Sequence, residues 1–319
     1  MKYRVLTLAL AAALALGSAL PASAFSLFGG GEESPAPAEG APVARDMELT
    51  TYQNVAVTGR FDGVDPEGDV LTYHVVKKPA RGAVTVQEDG SFVYEPYEDK
   101  KGKDSFTYVA VDPAGNSSDP ATVKVRIEKP DTKVTYSDLD GHPAHWAALR
   151  LAEEELLVGE QLGEEWFFRP EAAMSRGEFL TLAMHAAGLE ALEGVERTGF
   201  ADDAAIETWA KPYVSSALKS GLVTGSLDGE GQAVFRAGDP ITGAEAAVLL
   251  DRALQVTDVD AQVFAPAAPA WAAQSAANLS TCGMLDAGGD LSAALTRGEA
   301  AQLICSALEL LDSRDTGWF

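Results

Sequence analysis

From about Met47 to Glu128, apolar and polar residues alternate. Val123, Val125 and Ile127 alternate with Lys124, Arg126 and Glu128; Phe106, Tyr108 and Ala110 alternate with Ser105, Thr107 and Val109. A period of two places each set on one face of a strand. Val84 and Val86 stand opposite Phe92 and Tyr94 across Asp89-Gly90, a hairpin signal. Roughly seven short strands, cut by Pro, Gly and Asp turns, predict an all-β sandwich over 47–129. Residues 129–135 read as a short linker.

From Tyr136 the period becomes helical. Ala300, Leu303, Ile304, Ala307, Leu308 and Leu311 fall on one stripe. This all-α region is also a repeat. Trp146, Trp209 and Trp271 recur at intervals of 63 and 62 residues. Tyr136-Ser137-Asp138 and Phe200-Ala201-Asp202 precede the first two, while Gly221-Leu222-Val223 and Gly283-Met284-Leu285 follow the last two. Each repeat reaches a short box: Ser175-Arg176-Gly177-Glu178, Thr242-Gly243-Ala244-Glu245 and Thr296-Arg297-Gly298-Glu299. The repeats are expected over 136–190, 198–255 and 260–311.

Ser or Thr followed three residues later by Glu is a capping box. Ser175 with Glu178, Thr242 with Glu245 and Thr296 with Glu299 are therefore expected to cap helices. Capping does not call for an arginine at the first helical position, where the helix end already carries partial positive charge. Arg176 and Arg297 stand there, and a guanidinium beside free helix-end amides suits a carboxylate or phosphate. Pairing with surface acids is the alternative. The tryptophans suit either stacking on sugars or, more simply, anchoring each repeat's core.

These recurrences resemble S-layer homology (SLH) domains, carried here by Phe200-Ala201-Asp202, Trp209, Gly221-Leu222-Val223-Thr224-Gly225, Phe168-Arg169-Pro170 and Thr296-Arg297-Gly298-Glu299. The resemblance implies three helical repeats packed with pseudo-threefold symmetry. It implies grooves that hold a secondary cell-wall polysaccharide, or a peptidoglycan-linked polymer, through pyruvylated sugars. It assigns Arg176 and Arg297 to the pyruvyl carboxylate, Asp138 and Asp202 to the sugar, and places Trp146, Trp209 and Trp271 in the binding set. Departures are evident: Gly243 replaces one arginine, Pro266 replaces the third aspartate, and Glu155 replaces a glycine after a first helix about three residues short. At most two complete arginine sites are expected.

Asp65-Pro66-Glu67-Gly68-Asp69-Val70-Leu71-Thr72-Tyr73, Gly90-Ser91-Phe92-Val93-Tyr94-Glu95-Pro96 and Asp104-Ser105-Phe106-Thr107-Tyr108 resemble bacterial cadherin-like or Ig-like modules. Related modules sometimes hold calcium. Asp65, Glu67, Asp69 and Asp112 offer the hard oxygens required, although solvated turn residues account for them more simply.

Charge and targeting complete the reading. With 24 basic and 48 acidic residues the formal charge is −24, which argues against nucleic acid as a partner. Lys2 and Arg4, the apolar run Val5–Leu16 and Ala22-Ser23-Ala24 form a secretory signal peptide over 1–24. The run is too short for a membrane span. Residues 25–46, rich in Gly, Pro and Ala, read as a flexible spacer. His74, His142, His145 and His185 match no metal spacing, and Cys282 and Cys305 are expected as buried free thiols rather than a disulfide. No nucleophile elbow, phosphate loop or dinucleotide fingerprint is present. The expected protein is a non-enzymatic surface protein of the cell wall or S-layer, with other surface-layer proteins as possible partners. The alternative is a calcium-dependent adhesin or carbohydrate-binding surface protein whose repeats are only structural.

Overall fold

The computed structural model describes residues 40–257, 259, 268–285 and 290–315. The expected signal peptide, most of the spacer and Pro266 lie outside the described residues. Strand β1 (Val43–Ala44) already falls inside the segment expected as spacer, and it pairs with β4 (Gly63–Val64).

Seven strands make two sheets. One orders β2 (Met47–Tyr52), β9 (Ala121–Glu128), β8 (Gly102–Val111) and β5 (Thr72–Lys77); the other orders β3 (Val57–Arg60), β7 (Ser91–Pro96) and β6 (Gly82–Val86). The β6–β7 hairpin pairs Val84 with Tyr94 and Val86 with Phe92, and Gly90 turns it at φ +83°. A left-handed residue at that point costs glycine nothing. β2 pairs parallel to β9, a long-range contact that no local pattern encodes. The core is aromatic: Phe92, Tyr94, Phe106 and Tyr108 are fully buried. Burial pushes the Tyr108 phenol up to about 12, and its hydroxyl reaches the carbonyls of Arg45 and Asp62 at 2.6 and 2.8 Å.

The helical part follows. Repeat one holds α1 (His145–Glu153), a small hairpin of β10 (Glu160–Leu162) and β11 (Glu165–Phe167), and α2 (Arg176–Ala186). Repeat two holds α3 (Lys211–Ser220), the pair β12 (Ser226–Leu227) and β13 (Ala233–Val234), and α4 (Gly243–Leu254). Among the described residues, the third repeat holds α5 (Ala273–Thr281) and α6 (Arg297–Asp315).

The sequence predicted a shortened α1, and the structure corrects this. It has 9 residues against 10 and 9 in α3 and α5. The difference lies upstream: Trp146 is the second residue of α1, whereas Trp209 and Trp271 each stand two residues before their helix. Glu155, where glycine was expected, adopts φ +56°.

The segments before the three boxes close on one another through backbone bonds. Ile241 N donates to Met174 O (2.9 Å), Leu295 N to Ile241 O (2.8 Å) and Met174 N to Leu295 O (2.9 Å). The box amides repeat the scheme. Gly177 N meets Ala237 O, Ala244 N meets Leu291 O, and Gly298 N meets Pro170 O. These bonds satisfy the otherwise orphaned amides at each helix start.

The sandwich and the repeats share buried surface. Tyr52 and Val55 lie in the same apolar cluster as Leu151, Phe179 and Ile304. The Tyr52 hydroxyl donates to one oxygen of Glu153, while Asp131 N donates to the other at 2.6 Å. The expected linker is thus pinned at Asp131.

Candidate functional site

All three capping boxes close. Glu178 N donates to Ser175 Oγ (3.2 Å), Glu245 N to Thr242 Oγ1 (3.3 Å) and Glu299 N to Thr296 Oγ1 (3.2 Å). The glutamates answer by accepting from the Ser175, Thr242 and Thr296 amides at 3.0, 3.0 and 2.8 Å.

Both box arginines reach across to a neighbouring repeat. The Arg176 guanidinium lies 5.3 Å from the Phe235 ring centroid, its Nε donates to Phe235 O (3.1 Å), and Nη1 pairs with Glu245 Oε1 (2.5 Å). Arg297 does the same with Phe168: 5.1 Å to the centroid, 2.9 Å from Nε to Phe168 O, and 3.9 Å from Nη1 to Glu178 Oε1. Each glutamate therefore caps its helix with one oxygen and faces a guanidinium with the other. The arginine side chains retain 19% and 16% of their exposure. The ring and one carbonyl fix each guanidinium, and a glutamate faces its Nη1, the acid pairing that the sequence left as the alternative.

Asp138 and Asp202 each engage backbone amides with both carboxylate oxygens. Asp138 accepts from the amides of Phe168 (2.9 Å) and Arg169 (2.7 Å), and Asp202 from Phe235 (2.9 Å) and Arg236 (2.7 Å). Arg169 and Arg236 both sit at φ +59°, a strained turn that the carboxylate holds in place. Each aspartate thus positions the phenylalanine on which a box arginine rests. Sequence spacing could not disclose this, because the two residues lie 30 or more positions apart.

The tryptophans divide. Trp146, inside its helix where its counterparts precede theirs, is partly buried against both apolar clusters. Trp209 and Trp271 are 46% and 62% exposed, against the simpler expectation of core anchors. Trp209 donates from Nε1 to Glu207 and lines a groove of about 270 Å³ with Glu178. Trp271 lines one of about 420 Å³ with Arg176, Phe235 and Glu245.

Of the four candidate calcium ligands, Asp65, Glu67 and Asp69 come together, with one oxygen from each within 4.8 Å of the others. Asp65 Oδ1 accepts from the Glu67 and Asp69 amides (2.8 and 3.2 Å), and Oδ2 is buried with no hydrogen-bond partner among the described residues. Asp112 stands apart from this group: its oxygens accept from Asn116 N and Nδ2, both at 2.8 Å, closing its own turn. Those bonds hold its carboxyl below the usual range. Cys282 and Cys305 are free thiols, both pushed up by burial. His142 is engaged by Glu171 and the Ala144 amide, both at 3.1 Å. Among the described residues no helix is long and apolar enough to cross a membrane.

Comparison with known proteins follows the same division. Residues 39–129 match the bacterial cadherin-like domain. Residues 135–180 and 199–247 match the S-layer homology domain. No curated protein matches the chain. Among solved structures, the endo-fucoidan hydrolase MfFcnA4 of glycoside hydrolase family 107 is similar at 20% identity, over 33% of this chain and 16% of that one, with a TM-score of 0.25. The sialic acid binding region of a Streptococcus sanguinis SK1 adhesin is similar at 13% identity, over 30% and 31%, with a TM-score of 0.23. Fibronectin(III)-like modules of Clostridium thermocellum CbhA are similar at 17% identity, over 30% and 51%, with a TM-score of 0.18. The chain spans 14–17% of the length of the family 107 hydrolases. The chain is accordingly an S-layer homology domain protein with an N-terminal bacterial cadherin-like domain, a cell-surface protein associated with the cell wall.

Proposed function

We propose that the chain is exported by its signal peptide, performs no catalysis, and anchors non-covalently to a secondary cell-wall polysaccharide while displaying the sandwich outward. Three repeats form a pseudo-threefold unit, and the box arginines hold acid groups of the polymer, pyruvyl groups among them. One observation carries this reading. The Gly243 corner closes with the same amide-to-carbonyl bonds as the two arginine corners: Gly243 N to Ala293 O and Ala244 N to Leu291 O, beside Arg176 N to Asp239 O and Gly177 N to Ala237 O. The arginine side chain is thus not needed to close the ring, and a fixed, partly open guanidinium suits an anion. The chain's negative charge does not oppose this locally, since fields are screened over about 8 Å at physiological salt. A desolvated arginine–carboxylate contact contributes about 1.5–3 kcal/mol, and two contacts on one polymer reinforce each other.

The test replaces both arginines by glutamine, which keeps the stems. Arg176→Gln with Arg297→Gln is expected to melt at a lower temperature than the parent, in a single cooperative transition that shows the fold retained, and to lose most of its co-sedimentation with isolated walls. Sedimentation equal to the parent's overturns the proposal.

A second reading, the calcium-dependent adhesin, is favoured by the buried, unpartnered Asp65 Oδ2 beside Glu67 and Asp69. These oxygens fit a hard cation, which would tie this loop to the sandwich. Under this reading calcium raises the sandwich's melting temperature and a chelator reverses the rise. Identical curves overturn it.

A further inference from the structure

The Trp271 and Trp209 grooves present opposite charge. Arg176, Arg236 and Arg252 line the first, against Asp239 and Glu245. Glu178 and Glu207 line the second, which has no basic residue among its described lining. Arg236 and Arg252 are exposed, and neither has an ion-pair partner among the described residues. Arg252 Nη1 donates to Leu222 O at 3.0 Å, which steadies it at the groove wall.

Arg252 is also particular to its repeat. It stands ten residues past the cap Thr242; the same step from Ser175 reaches His185, and from Thr296 reaches Ser306. His185 is engaged by the Tyr213 hydroxyl at 2.9 Å. Three arginines against two acids leave the Trp271 groove a local surplus of positive charge, and such a surplus attracts anions even on a protein of opposite net charge.

We infer that the Trp271 groove is the anion-selective site of this chain and that Arg252 is its specificity-determining residue. The groove takes a polysaccharide segment bearing at least two acid groups, one facing Arg176 and another facing Arg252, with a sugar face against Trp271. The Trp209 groove, walled by Glu178 and Glu207, takes no acidic segment. This rests on the anchoring reading and narrows it to one groove.

The experiment titrates the full chain with polysaccharide extracted from walls of the producing cells, and with the same polysaccharide after its acid groups have been amidated. Trp271→Ala, Trp209→Ala and Arg252→Ser all alter exposed side chains, and melting curves verify their folds. The parent is expected to bind the acidic form and not the amidated one. Arg252→Ser is expected to weaken binding about tenfold and to flatten its salt dependence, as loss of one charge contact requires. Trp271→Ala is expected to weaken it at least as much, and Trp209→Ala less than twofold. Arg252→Ser binding within twofold of the parent overturns the inference, as does an equal loss from Trp209→Ala. A parent that binds neither form overturns the anchoring reading itself.

Discussion

The corner where Arg176 meets repeat two and the corner where Gly243 meets repeat three share a backbone and differ in everything laid upon it. At the first, Asp202 fixes Phe235, Phe235 supports Arg176, and Arg176 faces Glu245. At the second, three members are missing together. Gly243 replaces the arginine; Gly289, two residues before Leu291, stands where Phe235 precedes Ala237; and Pro266 stands where the aspartate belongs. Positions 266 and 289 lie outside the described residues. Glu299, which would face the missing guanidinium, is exposed. Closure of the ring and equipment of a groove are therefore separable, and the aspartate, aromatic and arginine form one device.

That separation can be broken most forcefully at the platform. Phe235 is 2% exposed, and Phe235→Ala should cost about 3–5 kcal/mol in urea unfolding, while Leu291→Ala at the bare corner should cost about 2–3 kcal/mol. Equal costs would mean that the phenylalanine does nothing beyond filling space. The next effect is smaller. Arg176→Ala should cost about 1–2 kcal/mol through its lost stacking and carbonyl bond. Gly243→Ala brings a methyl within 3.2 Å of Leu291 Cα and should cost less than about 1 kcal/mol. A larger loss from Gly243→Ala would show that the bare corner is the tighter one. The smallest effect is a gain: Glu155→Gly relieves an exposed left-handed residue and should add about 0.5–1 kcal/mol, read as a higher melting temperature.

Much of the architecture was legible because it is local. Alternation placed Phe106 and Tyr108 inward and set the hairpin register around Gly90; the spacing of Ser or Thr to Glu marked three helix starts; the stripe from Ala300 to Leu311 marked α6. What escaped was non-local. The parallel β2–β9 pairing joins residues 76 apart. Nearly equal intervals between tryptophans suggested equivalence, yet Trp146 falls inside its helix and is partly buried, while Trp209 and Trp271 precede theirs and are exposed. That the aspartates also hold the strained turns at Arg169 and Arg236 was hidden, because those turns come a whole hairpin later. The grooves depended on the same distant elements: Arg252 carried no motif, and only the fold brings it to line one groove with Arg176 and Trp271.

The bond from Tyr52 to Glu153, with Asp131 on the same carboxylate, has a mechanical consequence. A module displayed on a slack tether absorbs a pull by straightening its tether. Here the sandwich is clamped to the first repeat, so under the anchoring proposed above drag on the sandwich passes to the repeats through α1 instead of being absorbed between them. Shear at the cell surface loads the clamp and the grip in series, and the weaker of the two sets the force at which the protein is torn from its cell.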